Sequence, residues 1–125
     1  GWGEKDWLSV GKAECEWWGI TCDRQDRVVE INLANNNLKG AIPDEISFLE
    51  YLQEINMSQN AINGQIPEGI SNLYFLELLH LYGNDLFNKE PEDLCYLTNG
   101  RLISLRLDCS IKCDCCAECG APNRI

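Results

Sequence analysis

The stretch Ile31-Asn-Leu-Ala-Asn-Asn-Asn-Leu-Lys-Gly-Ala-Ile-Pro43 reappears 24 residues later as Ile55-Asn-Met-Ser-Gln-Asn-Ala-Ile-Asn-Gly-Gln-Ile-Pro67. A recurrence at a fixed step of this size is the signature of stacked structural repeats. The same interval links Asn36, Asn60 and Asn84, and it links Leu49, Leu73 and Leu97. In each unit an apolar residue alternates with polar neighbours, as in Ile31 and Leu33, which predicts a short strand with one buried face. Gly40 and Gly64 permit a backbone conformation closed to other residues, and Pro43 and Pro67 fix the turn that follows. Asn36, Asn60 and Asn84 stand where the chain leaves the strand. Placed inward, they form a ladder that satisfies loop backbone groups of adjacent coils.

Working outward, strands centred near residues 31–33, 55–57, 79–81 and 105–107 make four coils, close to the minimum for a stable stack. The last step is 26 because Tyr96-Leu-Thr-Asn-Gly100 carries two extra residues. Asn88 and Glu90 replace the Gly and Ile of the Gly-x-Ile-Pro pattern, which predicts a looser convex side toward the C-terminus. The expected organisation is an N-terminal cysteine cap over 1–27, repeats over 28–94, and a final irregular repeat with a cysteine-rich cap over 95–125. The fold class that follows is an α/β right-handed solenoid with a short parallel sheet on its concave face.

The chain has 125 residues, of which 45% are apolar, enough for one core. A net charge of −10 repels phosphate backbones, which argues against nucleic acid. The acidic residues, spread from Glu4 to Glu118 with no run of five or six, read as a solvated surface, with a cationic partner as the lesser alternative. No stretch reaches the roughly 18 apolar residues that span a bilayer, and no basic-then-apolar leader precedes Gly1. The eight cysteines, Cys15, Cys22, Cys95, Cys109, Cys113, Cys115, Cys116 and Cys119, lie at the two ends. That even, segregated count fits disulfide caps in an oxidising compartment, hence a secreted or cell-surface protein. Cys15 and Cys22 enclose a short loop whose closure is worth roughly 2–3 kcal/mol. Six later cysteines allow 15 pairings, and only the strained Cys115–Cys116 bond is set aside. Zinc is disfavoured because the close spacings overlap and the sole histidine sits in a repeat.

The pattern Leu-x-x-Leu-x-Leu-x-x-Asn-x-Leu-x-Gly-x-Ile-Pro resembles the plant class of extracellular leucine-rich repeats, which includes receptor-kinase ectodomains and polygalacturonase-inhibiting proteins. Trp7-Leu-Ser and Cys15-Glu-Trp-Trp-Gly-Ile-Thr-Cys22 are similar to that family's N-terminal cap, Cys-x-Trp-x-Gly-Val-x-Cys, with Ile20 for Val. Trp17 is expected to cover the core of the first coil. The C-terminal cysteine run is more similar to short secreted repeat proteins of algae such as diatoms. The resemblance implies a module that binds a protein or peptide ligand, with carbohydrate as the alternative. It implies recognition, signalling or inhibition without catalysis, cofactor or metal.

Strand alternation sorts the outward residues into rows. They are Glu30, Glu54, Leu78 and Ser104; Asn32, Asn56, His80 and Arg106; and Ala34, Ser58, Tyr82 and Asp108. Glu30, Asn32, Glu54, Asn56, Leu78, His80, Tyr82 and Arg106 are the candidate ligand-binding residues, with the apolar and aromatic anchor in the third strand. Asn56-Met-Ser58 is an acceptor sequon, and a glycan there would cover the concave face. A structural or surface-protective protein, binding ice or polysaccharide through a flat repeating face, is the first rival, lowered by the absence of outward Thr rows. An enzyme using His80 with Asp108 is the second, but no catalytic motif accompanies them.

Thiol labelling of the denatured, unreduced protein is expected to find almost no free thiol. Two or more free thiols, or stoichiometric zinc, would contradict the disulfide reading.

Overall fold

A computed structural model describes residues 15, 16, 18–89, 91, 93–108, 110–113, 115 and 116. Trp7, Trp17, Glu90, Cys109 and Cys119 lie outside the described residues. The periodic segments become strands: β1 (Ile20–Cys22), β2 (Val28–Asn32), β3 (Lys39–Ala41), β4 (Glu54–Asn56), β5 (Ala61–Gly64), β6 (Leu78–His80), β7 (Asp85–Leu86), β8 (Asn88–Lys89), β9 (Ser104–Arg106) and β10 (Ile111–Lys112). The main sheet runs in the order β1-β2-β4-β6-β9. Its repeat strands are parallel, with Ile31 beside Ile55, Ile55 beside Leu79 and Leu79 beside Leu105.

Each coil buries the same positions as the last, so the core is a set of columns. Ile31, Ile55, Leu79 and Leu105 form one; Leu33, Met57, Leu81 and Leu107 form the next; Leu52, Leu76 and Leu102 line the return to the strand. Burying each such side chain stabilises by roughly 1.5–3 kcal/mol, and no coil could bury its own edge alone. The two extra residues of the last unit are absorbed before β9. The Leu94–Asn99 segment is a six-residue 3₁₀ helix where its predecessors have five, and Leu102 N–H closes back onto the Leu97 carbonyl. Register is therefore intact when the chain re-enters the sheet.

The convex connections Asp44–Phe48, Glu68–Asn72 and Leu94–Asn99 are 3₁₀ helices, too short for an α-helix in a 24-residue coil. They stack closely: a Cβ on Gly69 would collide with the Ser47 side chain. The sequence reading placed one sheet in the molecule, and the structure holds more. A second parallel sheet, β3-β5-β7, forms just past the asparagine turn, where Gly64 takes the positive φ of 85° that its glycine allows. Beyond Leu86, at the site of the expected loosening, the chain leaves that sheet and β8 pairs in parallel with β10. A further strand, β1, pairs antiparallel with β2 at the N-terminal end.

Asn60 joins coils as the ladder reading requires. Its amide donates to the carbonyls of Leu33 (3.0 Å) and Met57 (2.9 Å), and its Oδ1 accepts from the N–H groups of Asn36 (2.7 Å) and Leu38 (3.0 Å). Asn84 repeats the arrangement with Met57, Leu81 and Ile62. Asn36 departs from it: the residue is exposed, and among the described residues its side chain reaches only its own coil, at the Ala34 carbonyl. Asp108 also departs from its expected outward row. Its two carboxylate oxygens accept the N–H groups of Gly83 (2.9 Å) and Asn84 (3.0 Å), so it supplies the acceptor half of the last rung.

Disulfides join Cys15 to Cys22, Cys95 to Cys115, and Cys113 to Cys116. The second ties the C-terminal cap to the last 3₁₀ helix. No helix among the described residues is long and apolar enough to cross a membrane.

Asn60→Ala leaves several backbone groups unpaired and is expected to destabilise by roughly 1–3 kcal/mol. Asn63→Ala, at an exposed position, should stay within about 0.5 kcal/mol, and the terminal Asn36→Ala should fall well below Asn60→Ala. Chemical denaturation of the three variants checks the order. Equal midpoints would contradict the ladder.

Candidate concave binding face

Pairing places the predicted rows side by side. Glu30, Glu54, Leu78 and Ser104 are successive partners across β2, β4, β6 and β9, as are Asn32, Asn56, His80 and Arg106. All but the exposed Asn32 are half-buried. The third predicted row does not form an open row. Ser58 is only 2% exposed, and its hydroxyl donates to Asn56 Oδ1 at 2.7 Å. Asp108 is spent on the backbone described above. The strands end at Asn56, His80 and Arg106, so positions 58, 82 and 108 lie in the turn, where inter-coil hydrogen bonding governs orientation.

Tyr82 is half-buried and belongs to a cluster at the C-terminal half. Its ring lies 6.0 Å from the His80 imidazole, tilted by 54°, and the Arg106 guanidinium carbon sits 5.4 Å from its centroid. His80 Nε2 is 2.7 Å from Ser104 Oγ. The imidazole thus meets Ser104 and not Asp108, which dissolves the acid–histidine pair considered from sequence. Burial pushes the His80 pKa below its ordinary value, and the neighbouring Arg106 cation pushes it the same way. A neutral imidazole at pH 7 offers one donor and one acceptor. The cluster therefore presents an aromatic face, an imidazole and a guanidinium within one strand spacing.

At the N-terminal end, an open cleft of about 470 Å³ lies against Trp18, Thr21, Glu30, Asn32 and Ala34. The first sheet strand docks closely there because Gly19 has no side chain: a Cβ would stand 2.6 Å from the Leu33 side chain and 2.8 Å from the Asn32 carbonyl. The Asn56 sequon sits mid-sheet, with Oδ1 also accepting the Ser58 N–H at 3.1 Å.

Sequence reasoning missed the cleft beside Trp18, and it also missed an aromatic and cationic stack. On the flank that enters the strands, Arg27 lies 4.1 Å over the Tyr51 ring, Tyr51 stacks on Phe75 at 5.8 Å, and Arg101 lies 5.0 Å over Phe75. These residues follow the repeat, at steps of 24, 24 and 26. The signal was present in the sequence, outside the strand positions from which the rows were drawn. Asp23 holds the Arg27 guanidinium at 2.8 Å, and the stack reads as a self-satisfied brace between coils.

Comparison with known proteins gives a consistent picture. The Leucine Rich Repeat family profile matches residues 27–49 and 51–73. A probable leucine-rich repeat receptor-like protein kinase of Arabidopsis thaliana is 53% identical over 49 residues, which is 39% of this chain and 5% of that protein. The crystal structure of PEPR1-AtPEP1 superposes with a TM-score of 0.69 at 33% identity, over 78% of this chain and 14% of that one. The BIR3–SERK2 complex from Arabidopsis thaliana gives 0.64 at 27% identity, over 79% of this chain and 53% of that one. The chain thus spans only part of each relative, and it shares the leucine-rich-repeat fold of those solved structures.

Because its folded-state pKa is lowered, His80 takes up a proton less readily in the native state than in the unfolded chain. Stability is fully present above the unfolded value near 6.5 and falls as pH drops from there through the lower folded value. NMR titration of the sole histidine should give a midpoint below the ordinary one, and His80→Asn should flatten that segment of the stability profile. A midpoint at or above 6.5 would contradict the burial and Arg106 effects.

Proposed function

Since this chain is a plant-type leucine-rich-repeat protein, we propose that it is an extracellular recognition module that binds a peptide or protein on its concave sheet. Leu78, His80 and Tyr82 are the anchor, Arg106 and Glu54 the charged rim, and Glu30, Asn32 and Asn56 the polar floor. The observation that carries the reading is the change in character along one otherwise polar sheet. The first two repeat strands present carboxylates and amides, whereas the third presents an aliphatic and an imidazole, with the aromatic Tyr82 in the turn that follows it. Desolvating such a group stabilises a complex, and buried aromatic contacts dominate binding energies at interfaces.

Register strengthens the argument. Each side chain in a row is held about 4.8 Å from the next by the sheet, so the face needs little ordering on binding. The disulfides support an oxidising, extracellular location. The related solved structures are complexes in which PEPR1 meets AtPEP1 and BIR3 meets SERK2. That supports binding as the work of this fold.

A random peptide library selected on the wild-type protein tests the proposal. Tyr82→Ala is expected to weaken the best selected peptide by about 2 kcal/mol, or roughly 30-fold. Arg106→Gln should act mainly on association rate and salt dependence. Tyr82 braces His80 and Arg106, so circular dichroism must first show a native fold. Unchanged affinity in Tyr82→Ala together with loss in Asn32→Ala would move the site to the N-terminal half.

A further inference from the structure

Trp18 is a residue the N-terminal cap does not account for. In Cys15-Glu-Trp-Trp-Gly-Ile-Thr-Cys22 the pattern's tryptophan falls on Trp17, which leaves Trp18 at an open position. Its side chain is 71% exposed, an unusual placement for an indole in a chain this small. It forms one side of the 470 Å³ cleft whose polar members are Thr21, Glu30 and Asn32. Thr21 on β1 and Glu54 on β4 are the two register partners of Glu30, so carboxylates stand on adjacent strands. Like charges side by side cost stability unless a cation joins them. Neither glutamate has an ion-pair partner among the described residues.

We propose that this cleft is a second docking point, a subsite for one basic side chain of the partner. The cation stacks on the Trp18 ring, the aromatic that attracts cations most strongly, and the Glu30 carboxylate meets its N–H groups, with Glu54 one strand further on. The chain's net charge of −10 concentrates cations at such a site. The inference rests on the concave-face reading and adds to it the chemistry and direction of the ligand. From β2 to β6 is two strand spacings, about 10 Å, or roughly three residues of extended peptide. The partner therefore carries Lys or Arg about three residues from the apolar side chain that meets Leu78 and Tyr82, its basic end toward the N-terminal cap.

The test uses small probes that fill this subsite alone: N-acetyl-arginine methylamide, and N-acetyl-norleucine methylamide as its uncharged counterpart. Ligand-observed NMR titration should show saturable binding of the arginine compound and none of the norleucine compound. Trp18→Ala is expected to weaken the arginine compound about fivefold or more, and Glu30→Gln about threefold or more. Tyr82→Ala should leave it within about twofold. Both cleft variants alter surface side chains, and their circular dichroism should match wild type. Saturation by both probes alike, by neither, or undiminished binding in Trp18→Ala and Glu30→Gln would overturn the subsite. A failure of the Tyr82 anchor would leave this result standing, so the two readings fail separately.

Discussion

The side-chain amide of Asn60 connects coils that the backbone alone would leave with unpaired groups at the turn. One carboxamide donates to carbonyls of its own coil and the preceding one and accepts two N–H groups of that neighbour. Coils of a solenoid can share an apolar core only if their turns lie at a constant height, and dispersion between Leu and Ile columns is too nondirectional to set it. The amide has the required direction. Its geometry holds Ile31, Ile55 and Leu79 in one column, and from that alignment the strands acquire their register.

Register in turn makes the concave face. A sheet built from one repeated coil would present identical rows, and these rows differ only where the sequence differs. Glu54 gives way to Leu78 and Asn56 to His80 within a backbone that does not change. The extra residues of the last unit fall on the convex side, which spares the pairing of β9 and lets Ser104 and Arg106 reach His80 and Tyr82. The ends of the stack need other devices. At the N-terminal end β1 covers β2 in the opposite direction. At the C-terminal end Asp108 takes the acceptor part of a ladder asparagine, receiving the Gly83 and Asn84 N–H groups of the preceding coil.

The 24-residue step made the repeat strands, their inward residues and the two full rows legible from sequence. Other features were hidden for identifiable reasons. The second sheet lies over Lys39–Ala41 and Ala61–Gly64, where glycine and asparagine read as turn, and its pairing depends on neighbours that a single repeat does not show. The role of Asp108 was obscured by the two inserted residues, which align it with Tyr82 in the sequence while the turn delivers its carboxylate to Gly83 and Asn84. Asn36 looked equivalent to Asn60, but a ladder residue needs a coil before it, and Asn36 heads the stack. The cleft beside Trp18 arises from an antiparallel strand outside the repeat, so no periodicity announced it. The Arg27, Tyr51, Phe75 and Arg101 brace kept the period but not the strand alternation.

Rigid spacing and uneven chemistry together favour a face that recognises an extended ligand. The measurement that tests this most directly is amide hydrogen exchange of the protein with and without the best library-selected peptide. The account predicts that protection on binding concentrates at residues 30–32, 54–56, 78–82 and 104–106, while the 3₁₀ segments 44–48, 68–72 and 94–99 stay unchanged. Protection confined to those convex segments, with an unchanged concave sheet, would contradict it.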